Sequence, residues 1–113
     1  MKPFVSSLLL SSSVIVGMAG CSGAAKQSAQ QTFLDVHEFG PGKVTAADVA
    51  AAHEKDLRVQ SQFGVRFARY WVDEEQGKVF CLSTAPNAEA VRETHRHAHG
   101  LLPDTITRVT EGK

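Results

Sequence analysis

Residues 65–84, VRFARYWVDEEQGKVFCLST, decide how this chain folds. Val65 to Asp73 and Lys78 to Thr84 are rich in β-branched and aromatic side chains, and Glu74 to Gly77 separate them by a short polar turn. That pattern predicts an antiparallel hairpin. Helical signals lie on both sides of it. Upstream, Thr45 reads as an N-cap with Asp48 three residues on, a capping-box variant. The helix it opens is expected from about Ala46 to Phe63, with Gly64 as the stop. Downstream, Asn87 is the expected N-cap of a second helix that Gly100 closes. Further out, Thr32 to Phe39 form a β run ended by Gly40-Pro41-Gly42, and Asp104 to Thr110 form another. The order is βαββαβ. It predicts an α+β, ferredoxin-like fold with a four-stranded antiparallel sheet and two helices on one face.

The first 31 residues are set apart. Residues 1–20 read as a secretory signal: Lys2, then an uncharged run from Phe4 to Ala19 ending in small residues. Met18-Ala19-Gly20-Cys21 resembles a bacterial lipobox, although Leu is commoner where Met18 stands. Cys21 is then the expected lipidation site, and the chain an envelope protein tethered to a membrane without spanning it. Residues 22–31, SGAAKQSAQQ, read as a flexible linker, so 21–31 connect the anchor to one folded domain at 32–113. With Cys21 acylated, Cys81 has no intrachain partner and a disulfide framework is excluded. The chain carries 12 basic and 12 acidic side chains, which excludes the basic footprint of a nucleic-acid binder.

Alternation along the first strand puts Leu34 and Val36 on one side and Phe33, Asp35, His37 and Phe39 on the other. Both sides carry apolar residues, yet helices can cover only one. The uncovered side is expected to pack on a second copy, giving a two-fold homodimer. If Leu34 and Val36 face the helices, His37 lies in the dimer cleft, and two separate histidine sites per chain are expected.

Five histidines, His37, His53, His95, His97 and His99, lie in the folded part. On the first helix Val49, Ala52, Val59 and Phe63 define an apolar stripe, and His53, Asp56 and Gln60 fall on it. Burying Asp56 without a partner is expensive. A His53–Asp56 pair could be a satisfied core pair or part of a site. On the second helix His95 and His99 are spaced i,i+4, which lets two imidazoles reach one ion. A solvated basic face with Arg92 and Arg96 is the structural alternative. His97 sits on the opposite border. Cys81 alternates with Phe80 and Leu82 and reads as an inert buried thiol. Tyr70 and Trp71 point to opposite sheet faces, and Asp73-Glu74-Glu75 reads as a hydrated turn.

The segments DVHEF, DVAAAHEKDLRVQSQFGVRF, YWVDEEQGKVFCL, EAV and HRHAHG together resemble small bacterial nickel-binding proteins, a family of ferredoxin-like domains. The resemblance covers nearly all of residues 32–113. It implies dimer formation and histidine ligation of nickel or a similar divalent transition metal. The matching positions are His37, His53, His95 and His99. Asp35 and Asp56 are candidate ligands or partners that orient imidazoles. Imidazole and carboxylate donors suit nickel, zinc, copper or cobalt alike. The expected function is sequestration or delivery of the metal by an envelope-anchored protein. Two alternatives stand beside it. One is a small enzyme using His37, His53, Asp56, Tyr70 and Cys81 in a cleft. The other is an interaction module whose histidines sense pH.

Overall fold

A computed structural model describes residues 29–113. The signal segment, Cys21 and most of the linker lie outside the described residues. Strand β1 spans Gln31–Glu38. Helix α1 spans Ala46–Val59 and runs into a 3-10 turn, Gln60–Phe63. The hairpin follows as β2, Arg66–Asp73, and β3, Lys78–Ala85. Helix α2 spans Ala88–Ala98, and β4 spans Thr105–Arg108. The strands form one antiparallel sheet in the order β2-β3-β1-β4. This is the ferredoxin-like α+β architecture expected from the hairpin and its flanking helices.

Local chemistry explains the element ends. Thr45 and Asp48 form a complete capping box, each side chain accepting the other's backbone N–H at 3.1 Å. Two of the helix's free donors are satisfied in this way. Glu74 adds a third contact, accepting Ala46 N–H at 2.6 Å. It is therefore the anchor of α1 to the hairpin turn and not a merely hydrated residue. Asn87 caps α2 by accepting Ala90 N–H at 2.8 Å. Gly64 and Gly100 end the helical segments at φ 67° and 78°, where a Cβ would be strained.

The hairpin is irregular at one point. The β2–β3 register shifts between Phe67 and Arg69, leaving Ala68 as the extra residue of a bulge. Phe67 and Tyr70, three apart, can then both turn toward the helices. Gln60 accepts Phe67 N–H at 2.9 Å beside the bulge, which explains a polar residue on the apolar stripe of α1.

The interior lies between the helices and one sheet face. Its apolar part is Phe33, Val44, Val49, Val65, Phe67, Val79, Cys81, Ala85 and Val91. Here one expectation is corrected. Phe33, Asp35 and His37 are the buried residues of β1, whereas Leu34 and Val36 are half-buried and lie on the outer face. The register explains it: β1 pairs with β3 so that Asp35 faces Cys81 and His37 faces Val79, and both β3 residues are buried. His37 is therefore on the helix side, with the helix histidines, and not in a dimer cleft. The largest fully buried side chains include His95, Thr94, Asp35 and Ser83. The centre of this small core is polar. A domain of this size forgoes core stabilisation by such a choice, and buried charge is costly unless paired.

Candidate metal centre

His95 lies at the middle of the polar interior, 1% exposed. Helix α2 carries it inward one position after Thr94, whose hydroxyl is satisfied by the Ala90 carbonyl at 2.8 Å. The two ring nitrogens face different carboxylates. Nδ1 is 3.0 Å from Asp56 Oδ1 on α1, and Nε2 is 3.3 Å from Asp35 Oδ2 on β1. His37 and His99 flank these pairs. His37 Nε2 lies 3.1 Å from Asp35 Oδ1, and the His37 and His95 rings meet edge to face with centroids 4.8 Å apart. His99 Nε2 lies 3.1 Å from Asp56 Oδ1 and 3.3 Å from His95 Nδ1. His99 is the C-cap of α2, with φ −149°, so its ring leaves the helical path and folds back toward Asp56.

The electrostatics follow from burial and pairing. Burial alone would lower the His95 pKa, but hydrogen bonds to Asp35 and Asp56 and their charges raise it to about 9. Burial alone would raise Asp35, but its contacts with His37 and His95 hold it below the usual carboxylate value. Asp56 is lowered in the same way by His95 and His99. Without a metal, then, a cationic His95 sits between two anionic carboxylates, and the trio carries one excess negative charge. Burial pushes the Cys81 thiol well up, and the Asp35 and Asp56 charges push further. A resting nucleophilic thiolate is therefore disfavoured.

Two sets of potential ligand atoms lie within 4.8 Å of one another: Asp35, His37, Cys81 and His95, and Asp56, His95 and His99. Four-coordinate and six-coordinate ions with bonds near 2.1 Å place neighbouring donors about 3.0 to 3.4 Å apart. The nitrogen–oxygen and nitrogen–nitrogen separations above fall in that window. A second observation fits. His37 Nδ1 is buried and makes no hydrogen bond among the described residues. Unpaired buried polar atoms are rare in cores and call for a reason. The residues present fit a divalent transition metal.

Of the sequence-derived candidates, Asp35, His37, Asp56, His95 and His99 converge. His53 does not join either set. Its ring packs tilted against Tyr70, with centroids 4.6 Å apart, and edge-on to Phe67 at 6.2 Å, and burial lowers its pKa. His97 is exposed and packs on Phe63, at 5.0 Å between centroids. Cys81 is the member that sequence reasoning missed. Its signal was the cross-strand register, which sets it opposite Asp35. A pocket of about 230 Å³ opens onto this cluster. Val44, Val49, Ala52 and Leu101 form apolar wall, Lys43 and Asp48 join it, and His53, Tyr70, Asp56, His95 and His99 line it as well.

Comparisons with known proteins agree with this picture. Residues 33–109 match the family described as nickel responsive protein, SCO4226-like. A crystal structure of SCO4226 from Streptomyces coelicolor A3(2) superposes with a TM-score of 0.67 at 36% identity, covering 73% of this chain and 99% of that one. Comparison with curated proteins finds no match. A fold reached from hairpin and caps, a cluster of imidazole, carboxylate and thiol donors, and a match over most of the domain converge: the chain belongs to the SCO4226-like family of nickel-responsive proteins.

Proposed function

We propose that this protein binds a divalent transition metal, nickel by preference, through Asp35, His37, Cys81, His95, Asp56 and His99, and holds it for sequestration or delivery. The convergence of these donors within 4.8 Å in each set carries the reading. The excess negative charge of the Asp35–His95–Asp56 trio supports it. A bound ion would supply Lewis acidity and charge, replacing protons on His95 and Cys81. The role of this chain is to present preorganised donors and to exclude most water. His53, outside both ligand sets, packs on Tyr70 as a wall residue of the pocket. The family's printed name motivates nickel, since donor types alone would favour copper.

We further propose that Cys21 is lipidated, that the domain is anchored at the extracytoplasmic face of the cell envelope, and that it forms a homodimer through its outer sheet face. The sequence of residues 1–21 supports the anchor. Exposed Trp71 beside half-buried Leu34, Val36, Phe80 and Leu82 supports the dimer.

Titration calorimetry of the protein with nickel, zinc and cobalt at neutral pH tests the central reading. Saturable binding is expected. Replacing His95 with Gln should weaken it at least tenfold, and replacing His53 with Gln should change it less than threefold. Unchanged affinity in the His95 variant would refute the assignment.

One observation favours a second reading. The pocket brings together His37, His53, Asp56, Tyr70 and Cys81, the five residues an enzyme of this shape would use. The raised thiol pKa counts against nucleophilic chemistry at Cys81. Binding of a small molecule beside the metal fits the pocket better than covalent catalysis does.

A further inference from the structure

His95 belongs to both ligand sets. The two nitrogens of an imidazole project their lone pairs in diverging directions, so one ion cannot use both. We propose that His95 bridges two divalent ions, one at Nε2 with Asp35, His37 and Cys81, the other at Nδ1 with Asp56 and His99. The inference rests on the metal-binding reading above and adds to it a count and a covalent connection between sites.

Each half has its own support. On the Nε2 side, Asp35 is fully buried, with Oδ2 3.3 Å from the ring nitrogen and Oδ1 3.1 Å from His37 Nε2, so one carboxylate faces two imidazoles. On the Nδ1 side, Asp56 Oδ1, His99 Nε2 and His95 Nδ1 form a triangle with edges of 3.0, 3.1 and 3.3 Å. Three donors from the chain leave room for solvent or a small ligand, and the pocket reaches this side through His99 and Leu101. The halves also come from different elements. The carboxylate of β1 serves one and the carboxylate of α1 the other, so neither ion has to compete for a carboxylate.

The charges balance. His95 gives both ring protons and Cys81 its thiol proton to the buffer. Two dications then meet four negative charges: Asp35, Asp56, the Cys81 thiolate and the His95 imidazolate. A neutral assembly is what a water-poor interior tolerates. One local bond must change. His99 Nδ1 accepts Leu101 N–H at 3.1 Å in the metal-free chain. When Nε2 takes the ion, the ring proton moves to Nδ1 and this bond opens. Leu101 is 46% exposed, so the segment can yield.

The alternative is a single ion on one ring nitrogen, with the carboxylate on the other nitrogen acting only to orient the ring. Equilibrium dialysis of the full chain with cobalt, read by elemental analysis, separates the two. The double variant Asp56→Asn/His99→Gln should bind one ion fewer than the parent and keep the near-ultraviolet thiolate–cobalt absorption. Cys81→Ser should lose that absorption. Low-temperature electron paramagnetic resonance of the fully loaded parent should show a high-spin cobalt signal diminished by coupling, regained in the double variant. With zinc, the Leu101 amide resonance should shift as the Nδ1 site fills. Far-ultraviolet circular dichroism checks that each variant is folded. Equal ion counts in parent and double variant, or two uncoupled cobalt signals, would overturn the bridge and leave the metal-binding reading intact. No ion bound by the parent, with no thiolate absorption in any form, would overturn both.

Discussion

A cationic His95 between Asp35 and Asp56 makes the metal-free protein sensitive to alkali. The His95 pKa rises from about 6.5 to about 9 on folding. Its contribution to stability is thus complete below about pH 6.5 and is lost as the pH climbs through about 9. The loss is on the order of 3 kcal/mol for such a shift. Asp35 and Asp56 run the other way. Their lowered values contribute above the ordinary carboxylate pKa and stop contributing as the pH falls through them. Urea denaturation of the metal-free protein should therefore give its highest midpoint between about pH 4 and 6.5 and a falling one toward pH 9. A midpoint flat from pH 6 to 9 would contradict the pairing. At this scale the sequence was partly legible. Asp56 on an apolar stripe and the His95–His99 spacing both pointed at the cluster. Which face carries His37 and Cys81 was obscure, because strand alternation identifies two faces without saying which is inside. Cross-strand register settles that, and register depends on the whole sheet.

The elements were the most legible level, since caps and glycines announce their ends. Thr45, Asp48, Gly64, Asn87 and Gly100 all act where their chemistry placed them. The sequence did not disclose how the β1–α1 loop meets the hairpin. Gly77 is buried at φ 67°, and its carbonyl accepts the N–H groups of Phe39 and Gly40 at 2.8 and 3.3 Å. A Cβ at Gly77 would overlap the Gly40 carbonyl. Gly77→Ala should destabilise the protein by about 3 kcal/mol or more, from left-handed strain plus forced separation of the two loops. Thermal unfolding measures this directly. A loss below about 1 kcal/mol would show that the loops part easily. The bulge at Ala68 was equally hidden, because an extra residue in a strand reads as ordinary alternation until the partner's register is known.

For the whole molecule, a two-layer fold leaves one sheet face without helices. Trp71 is 48% exposed there, amid Leu34, Val36, Phe80 and Leu82. An apolar face of this kind is costly to leave in water. Leu82→Glu should convert a dimer to a monomer at micromolar concentration in sedimentation velocity, with metal content unchanged because Leu82 faces away from the cluster. A parent protein that already sediments as a monomer would remove the proposed interface. The sheet order has a last consequence. Strand β1 is hydrogen-bonded on both edges, to β3 and β4, so its amides should be among the slowest to exchange with deuterium. Asp35 and His37 ride on this unyielding strand, whereas Asp56 and His99 sit on a helix and at a helix end. Slower exchange on β1 than on the helices would make the strand a fixed gauge and the helical side a movable jaw for the proposed ion, with cation size altering how fast it leaves more than where it is seated.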